Sequence, residues 1–264
     1  MAALLLVDIG NTRIKWAYLD GGRMSRGRAA RHSTWSSSTY ARRLLRKKAR
    51  PVRMWVASVA SPEVNRALAG AARRAGVAVT FVSVPRRGGG VQVGYLEPWR
   101  LGVDRFVAAV GAHELFPRMP LCVVGVGTAM TVDLIAADGR HRGGAIIPSP
   151  ALMVETLFTR THGIYRRAQG GSGRRGRARL FARSTRAAVM QGAGYAAAAL
   201  IDRAVDEARA VVGREPLVVL TGGGAALVRP LLQSRCVGVP DLVLRGLAVL
   251  ARGKAPTRRR IGRQ

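Results

Sequence analysis

Two stretches of this chain share one pattern: an apolar run, a short polar turn and a second apolar run. The first is LLLVDIGNTRIKWAYLD, with its turn at residues 8–12, and the second is LCVVGVGTAMTVDLIA, with its turn at residues 125–128. Apolar runs of this length, joined by a short turn that contains glycine or asparagine, are typical of β-hairpins. Each stretch is therefore predicted to form two strands with a polar turn between them.

The segment after the first hairpin predicts a parallel sheet. Strand-like runs at 52–59 and 77–84 flank a helical pattern that starts after Ser61, has Pro62 at its first position and ends at Gly76. Serine before a helix, proline at its first position and glycine after its end are ordinary helix boundary signals. Strand, helix and strand in this order are typical of an α/β fold.

The second hairpin begins a new α/β half. The 264 residues are enough for two ordinary domains, and FPRMP at 116–120 interrupts the pattern between the halves. We therefore expect one domain over residues 1–116, a second over 117–251, and a basic tail over 252–264.

The turn DIGNT has two interpretations that the residues alone leave open. It can be the polar tip of an ordinary hairpin. It can also bind a phosphate, because Gly10, Asn11 and Thr12 let backbone N–H groups approach an anion while Asp8 holds a metal ion or water beside it.

The strong positive charge does not by itself indicate a nucleic-acid protein. Lysine and arginine number 44 against 14 acidic residues, a net charge of +30, and only four of the 44 are lysine. Many basic residues fall in segments poor in apolar residues, at 42–50, 166–179 and the C-terminus, and the aromatic content is only 5%. We expect non-specific adhesion to polyanions and no specific nucleic-acid partner.

Other bulk features favour a cytoplasmic protein. The uncharged stretches are shorter than a membrane-spanning helix, and the N-terminal apolar run has no basic segment before it. The two cysteines, Cys122 and Cys236, provide neither a disulfide framework nor a metal cluster, so buried reduced thiols are expected.

Three strand-end turns carry the functional signal. No Walker A sequence and no G-x-G-x-x-G after a strand is present. The turns DIGNT at 8–12, GVGTAMT at 125–131 and TGGGA at 221–225 together resemble the phosphate-1, phosphate-2 and adenosine motifs of the acetate kinase, sugar kinase, Hsp70 and actin superfamily. That resemblance implies two ribonuclease-H-like α/β domains facing across a nucleotide cleft.

Further motifs narrow the resemblance to one family. The stretches YLEPWRLGVDRFVAAVGA, GTAMTVDLIAADGRHRGGAIIPS, STRAAVMQG and PDLVLRGLA resemble type III pantothenate kinases, and the likeness runs from about residue 4 to 250. It implies phosphorylation of pantothenate to 4′-phosphopantothenate with ATP, the first committed step toward coenzyme A, by a homodimer. One branch of this family is described as accessory factors to a transcription regulator.

The resemblance also assigns nucleotide-binding positions. In this family the D-x-G-N-T turn holds the ATP phosphates. The positions carried over are Asp8, Ile9, Gly10, Asn11, Thr12, Arg13, Ile14, Lys15 and Thr128. Asp8 is expected to orient Mg²⁺ through water, and no residue is expected to form a dedicated metal site. Lys15 is either a contact to phosphate or a solvated strand lysine.

The catalytic and substrate positions come from LGVDR and two further segments. Asp104 matches the catalytic aspartate of the family, a general base toward the primary hydroxyl of pantothenate; taken alone, it could be a helix cap. Thr185 matches a threonine that family dimers supply from the partner subunit, or it is a plain helix N-cap. The substrate-binding positions carried over are Tyr95, Gly102, Val103, Asp104, Arg105 and Thr185.

One departure from the family pattern concerns a monovalent cation. Most members carry an aspartate three residues before the threonine of GTA, and it binds K⁺ or NH₄⁺; this chain has Gly125 there. We therefore expect that a monovalent cation is not needed or is weakly held. The alternatives to a pantothenate kinase are a kinase of another small hydroxyl substrate and a non-catalytic regulatory member of the family.

Overall fold

The computed structural model describes residues 3–45, 51–169 and 180–253. The chain divides into two compact units. The first comprises the residues up to Arg118, Gly139–Arg142 and the residues from Asp241 on, and the second comprises Met119–Asp138 and Gly143–Pro240. Much of the three predicted basic segments lies outside the described residues, at 46–50, 170–179 and 254–264.

The predicted first hairpin and strand–helix–strand unit are confirmed. The first unit is built on a sheet whose strands are β1 (Leu4–Ile9), β2 (Arg13–Asp20), β3 (Arg23–Met24), β4 (Arg28–Arg31), β5 (Arg53–Ser58) and β6 (Ala78–Phe81). The order is β3-β2-β1-β5-β6, with β4 also paired to β2. Strand β1 is antiparallel to β2 and parallel to β5, which is parallel to β6.

The second unit repeats this strand order. After the short β7 (Arg87–Gly88) and β8 (Val91–Gln92) come β9 (Leu121–Val126), β10 (Ala129–Ile135), β11 (His141–Pro148), β12 (Leu217–Thr221) and β13 (Cys236–Gly238). Its sheet has the order β11-β10-β9-β12-β13, with β9 antiparallel to β10 and parallel to β12. In both sheets the third, second and first strands lie side by side in that order, and two later strands follow, β5 and β6 in the first sheet and β12 and β13 in the second. The structure therefore bears out the duplication that the two hairpins indicate.

The described residues contain eight α-helices. They are α1 (Ser37–Leu44), α2 (Pro62–Arg74), α3 (Val103–Leu115), α4 (Pro150–Arg160), α5 (His162–Ala168), α6 (Thr185–Val212), α7 (Ala225–Val228) and α8 (Leu242–Arg252). The order of β5, α2 and β6 follows the predicted strand–helix–strand pattern.

Each unit has its own apolar core. In the first, Leu5, Val7 and Ile9 of β1 are completely buried beside Leu44 of α1 and Leu68 of α2. Burying a side chain of this size stabilises the fold by roughly 1.5–3 kcal/mol. The polar exception in β1 is Asp8, which is only partly exposed although apolar residues surround it in sequence.

The last helix belongs to the first unit. We expected residues 117–251 to form the second domain, but residues 241–251 are part of the first unit instead. Helix α8 lies so close to α3 that a Cβ atom on Gly246 would lie 1.9 Å from the carbonyl oxygen of Val107. A Cβ atom on Gly111 would lie 2.6 Å from the carbonyl oxygen of Leu242. Two glycines therefore allow the backbones to touch, and α8 supports the helix that begins at the predicted catalytic segment.

Among the described residues, no helix combines the length and the apolar character that a membrane crossing requires.

Cys122 is buried and Cys236 is half-buried, and both are free thiols. Burial, with a contribution from the charge of Asp133, raises the pKa of the Cys122 thiol to about 12.

Candidate active site

The first hairpin places a carboxylate and an amine opposite each other. Asp8 of β1 is the direct partner of Lys15 in β2, and both residues are partly buried. The Lys15 charge is close enough to Asp8 to lower the pKa of that carboxyl.

Asp8 also lies within electrostatic reach of two further carboxylates. Its pKa is raised to about 7, chiefly because burial disfavours the charged form. Lys15 lowers this pKa, whereas the charges of Asp104 and Asp241 raise it. The first unit thus brings the aspartate of the first turn and the predicted catalytic aspartate into one charged region.

The turn itself is a tight hairpin with an exposed tip. The Gly10 N–H donates to the carbonyl oxygen of Arg13 at 2.9 Å, so this amide is used within the turn. Asn11, Thr12 and Arg13 are exposed, whereas Ile9 and Ile14 on either side are completely buried. The two apolar anchors hold the ends of the turn while its tip faces outward.

Asp104 lies in the first turn of α3 and is not its N-cap. The N-cap is Gly102, Val103 is the first helical residue, and Asp104 follows. The Asp104 carboxylate accepts a hydrogen bond from the Arg105 backbone N–H at 2.9 Å. A Cβ atom on Gly102 would lie 2.7 Å from the Asp104 Oδ1, so glycine at 102 leaves room for the carboxylate.

Arg105 and Tyr95, both predicted to bind substrate, are in contact. Arg105 is 7% exposed, and its Nη1 donates to the Tyr95 hydroxyl at 3.1 Å. The guanidinium carbon also lies 5.7 Å from the centroid of the Tyr95 ring, which in turn lies 5.6 Å from the His141 ring. The structure therefore holds a cation and a phenol together, one residue from Asp104.

The second unit carries the other predicted positions. Thr128 is exposed in the β9–β10 turn, and its carbonyl oxygen accepts from the Ser149 N–H at 3.3 Å. Gly125 is the cross-strand partner of Thr131, whose Oγ1 would lie 3.1 Å from a Cβ atom on Gly125. A side chain at 125 therefore requires the Thr131 hydroxyl to shift slightly.

Thr185 begins α6 but does not cap it. The N-cap is Ser184, whose Oγ accepts from the Ala187 N–H at 3.3 Å. Thr185 instead lines an open, mainly apolar groove of about 720 Å³, with Met153 and Leu157 of α4 and Val189 of α6 among the other lining residues.

Two residues of this region were missed by sequence reasoning. Asp241 precedes α8 with a left-handed backbone, φ 55°, and its carboxylate lies so close to Gly27 that a Cβ atom there would be 2.1 Å from Oδ2. His32 donates a hydrogen bond to the Gly10 carbonyl oxygen and shares a second one with the Tyr40 hydroxyl. The stretch PDLVLRGLA contributed to the family resemblance, but nothing in the sequence linked either residue to the first turn.

The residues around Asp8 could bind Mg²⁺ together with the phosphates of a nucleotide, but not as a metal site made by the protein alone. The described residues contain no group of three or more His, Cys, Asp or Glu side chains arranged to hold a metal. Burial raises the pKa of Asp8, and the charges of Asp104 and Asp241 raise it further, so a cation here would stabilise the charged carboxylate. Mg²⁺ is commonly held by one or two carboxylates, water and substrate phosphates, which fits such a site.

Solved structures define the class of fold. A conserved protein of Campylobacter jejuni, assigned to the Baf family of transcriptional activators, aligns with a TM-score of 0.59 at 17% identity over 94% of this chain and 98% of that one. Component A of the (R)-2-hydroxyglutaryl-CoA dehydratase of Acidaminococcus fermentans aligns with a TM-score of 0.54 at 13% identity, over 94% and 96%. Both solved structures share the mixed α/β fold of this chain.

Sequence comparison gives the family. The type III pantothenate kinase family model matches residues 4–207. Type III pantothenate kinases of Nitrosococcus oceani and Herminiimonas arsenicoxydans are 36% and 39% identical, covering 97% and 96% of this chain and 96% and 99% of the relatives. The chain belongs to the type III pantothenate kinase family and is an ATP-dependent kinase of pantothenate in coenzyme A biosynthesis.

Proposed function

We propose that Asp104 is the general base of this reaction and that the turn from Asp8 to Lys15 binds the ATP phosphates. The observation that carries this proposal is the position of Asp104 in the first turn of α3, where the Arg105 N–H holds its carboxylate and its charge reaches Asp8 of the first turn. A kinase needs this arrangement because the acceptor hydroxyl must be deprotonated beside the γ-phosphate.

The proposed chemistry needs few groups. The Asp104 carboxylate accepts the proton of the primary hydroxyl of pantothenate as its oxygen bonds to the γ-phosphorus. The bond between that phosphorus and the oxygen bridging it to the β-phosphate breaks, and ADP leaves. Mg²⁺, held near Asp8, would neutralise charge on the phosphate oxygens.

The exposed tip of the first turn supplies the proposed phosphate contacts. Asn11 and Thr12 lie at this tip, while the Gly10 N–H is already used by Arg13. Lys15, opposite Asp8, adds a positive charge at the base of the turn. Contact of Thr128 with ATP stays a prediction from the family resemblance.

Arg105 and Tyr95 form the proposed recognition site for pantothenate. An arginine guanidinium suits a carboxylate, and a tyrosine hydroxyl suits an amide or hydroxyl group. Because the Arg105–Tyr95 hydrogen bond already holds both side chains, they lose little conformational entropy when pantothenate binds. Gly102 and Val103 precede Asp104 and present backbone at the same helix start.

The apolar groove is the proposed contact surface for a second copy of the chain. Thr185, predicted to complete the partner's substrate pocket, lines this groove. Leu157 at its edge and Met190 on the same helix as Thr185 remain 37% and 47% exposed. Exposed apolar area of this kind is typical of a protein–protein interface. We therefore propose a homodimer.

We also propose that the protein is cytoplasmic, because its free thiols suit a reducing compartment.

Gly125 supports a reaction with little dependence on K⁺ or NH₄⁺. Glycine offers no side-chain oxygen at the position where most family members have an aspartate ligand. Arginine is an alternative source of positive charge for phosphate oxygens, and this chain is rich in it.

A direct assay tests the proposal. The purified protein should release ADP only when both ATP and pantothenate are present, and mass spectrometry should detect 4′-phosphopantothenate. ADP release with a different small alcohol but not with pantothenate would indicate another kinase. No ADP release with any acceptor, from a folded protein, would indicate a non-catalytic member of the family.

A further inference from the structure

A buried histidine connects the first turn to helix α1. The His32 Nε2 lies 2.8 Å from the carbonyl oxygen of Gly10, and its Nδ1 lies 3.1 Å from the Tyr40 hydroxyl oxygen. His32 is 2% exposed and Tyr40 is completely buried. The hydrogen bond to Tyr40 is therefore buried, and the one to Gly10 is partly buried.

The chemistry of the three groups sets the direction of both hydrogen bonds. A carbonyl oxygen can only accept, so Nε2 must carry the hydrogen that points to Gly10. In the neutral imidazole, Nδ1 then has a lone pair and accepts from the Tyr40 hydroxyl. Burial raises the pKa of Tyr40, which keeps this phenol protonated and able to donate.

Both ends of the connection are anchored in regular structure. His32 follows β4, whose last residue, Arg31, is the cross-strand partner of Arg13 at the start of β2. Tyr40 lies in α1, and its ring contacts Trp35 edge to face at 5.3 Å between centroids. The imidazole is thus held from two directions, so the position of the Gly10 carbonyl is also defined.

Fixing the Gly10 carbonyl also fixes the next amide. The Gly10 carbonyl and the Asn11 N–H belong to one planar trans peptide, in which they point in opposite directions. The Gly10 N–H is held separately by the Arg13 carbonyl at 2.9 Å. With the carbonyl turned to the buried His32, the Asn11 N–H points to the other side, at the exposed tip of the turn.

We propose that His32 is a positioning residue, which orients the Gly10–Asn11 peptide so that the Asn11 N–H donates to a phosphate of the nucleotide. His32 does not touch the nucleotide, and it acts through the peptide that it holds. This role rests on the proposed binding of ATP phosphates by the turn. Tyr40 supports the same role indirectly, because its hydroxyl donates to Nδ1 in the tautomer that the Gly10 carbonyl requires and so helps to hold the ring in place.

A matched pair of variants tests the role. The amide nitrogen of glutamine can replace Nε2 and donate to Gly10, whereas the shorter asparagine reaches only the position of Nδ1, beside Tyr40. His32→Asn should therefore raise the KM for ATP by roughly 2- to 10-fold, the value of one hydrogen bond, with the KM for pantothenate unchanged. His32→Gln should restore the KM for ATP to within about twofold of the unmodified enzyme.

Leu44→Ala is the control for a purely structural effect. Leu44 is completely buried in the same helix as Tyr40 and is not hydrogen-bonded to the turn through its side chain. This variant should lower the Tm without changing the KM for ATP. If His32→Asn and His32→Gln behave alike, or if both merely lower the Tm as Leu44→Ala does, the positioning role is wrong.

Thr12→Ala separates this inference from the proposed nucleotide site. If Thr12→Ala raises the KM for ATP and His32→Asn does not, only the positioning role is wrong. If neither variant changes the KM for ATP, the turn does not bind the nucleotide and both proposals are wrong. Long-range ¹H–¹⁵N spectra show independently which ring nitrogen of His32 carries the hydrogen. We expect it on Nε2. A neutral His32 with its hydrogen on Nδ1 would overturn the role.

Discussion

Asp8 and Lys15 are direct cross-strand partners at the base of the first hairpin. The ammonium group lowers the pKa of Asp8, but burial and the carboxylates of Asp104 and Asp241 outweigh it and bring that pKa to about 7. Ionisation of the Asp8 carboxyl is therefore unfavourable even beside Lys15. A further cation close to it, such as the Mg²⁺ that accompanies ATP, would stabilise the ionised form.

This electrostatic balance predicts an unusual pH dependence of stability. The pKa of Asp8 is higher in the folded chain than its ordinary value of 3.8, so the folded state keeps a proton that the unfolded state releases. The free energy of unfolding should therefore fall as the pH rises from about 4 to about 7, by at most roughly 4 kcal/mol from this residue.

Asp8→Asn should remove this loss, because asparagine does not ionise. The free energy of unfolding of Asp8→Asn, measured by urea denaturation, should exceed that of the unmodified protein. The difference should be small near pH 4 and largest above about pH 7. Asp20→Asn, an exposed carboxylate at the end of β2, is the control and should show no such trend. A difference between Asp8→Asn and the unmodified protein that is the same at every pH would contradict the raised pKa.

The Arg105–Tyr95 hydrogen bond predicts a selective loss of pantothenate affinity. Tyr95→Phe removes the hydroxyl that accepts from Arg105 Nη1 and leaves the buried guanidinium less well held. The KM for pantothenate should rise by roughly 2- to 10-fold while the KM for ATP stays the same. Arg100→Lys, at an exposed arginine of the same segment, should change neither value. An equal rise in both KM values would argue against a substrate-specific role.

The apolar groove predicts that assembly and activity are lost together. Leu157→Arg places a charge in the groove that Thr185 lines, so it should yield monomers with strongly reduced activity. Leu227→Arg, an exposed apolar residue of α7 outside the groove lining, should stay dimeric and active. Light scattering at the assay concentration gives the oligomeric state, and a fully active Leu157→Arg monomer would contradict the proposal.

Gly125 predicts near independence of monovalent cations. Activity in sodium or Tris buffer should be within a few-fold of activity in potassium. Gly125→Asp should increase the dependence on potassium, since it places a carboxylate where the family resemblance implies a cation ligand. Gly125→Ala is the control for crowding of the Thr131 hydroxyl, which lies 3.1 Å from the added Cβ atom. A strong K⁺ requirement in the unmodified protein would show that other groups hold the cation.

The sequence predicts the local elements of this fold well because each is set by a local signal. The polar turn between two apolar runs predicts the β1–β2 hairpin, and Ser61, Pro62 and Gly76 mark the bounds of α2 closely. The start of α6 at Thr185 also follows the sequence pattern. Such signals act over a few residues and need no knowledge of the tertiary fold.

Long-range relationships were beyond reach of the sequence. Nothing local shows that α8 returns to pack on α3, because the close contact of Gly111 with α8 joins segments far apart in the chain. For the same reason the hydrogen bond between His32 and the Gly10 carbonyl was not foreseen. The family resemblance singled out Asp104, but only the structure places its charge close enough to affect Asp8.

The measurement closest to the central claim is the turnover of Asp104→Asn. The substitution keeps the size of the side chain but removes its ability to take a proton, so kcat should fall by roughly 10²- to 10⁴-fold. Binding of a non-hydrolysable ATP analogue, measured by calorimetry, should be retained, and Glu114→Gln, at an exposed acid near the other end of α3, should turn over normally. A folded Asp104→Asn enzyme with kcat within about threefold of the unmodified protein would show that Asp104 is not the general base.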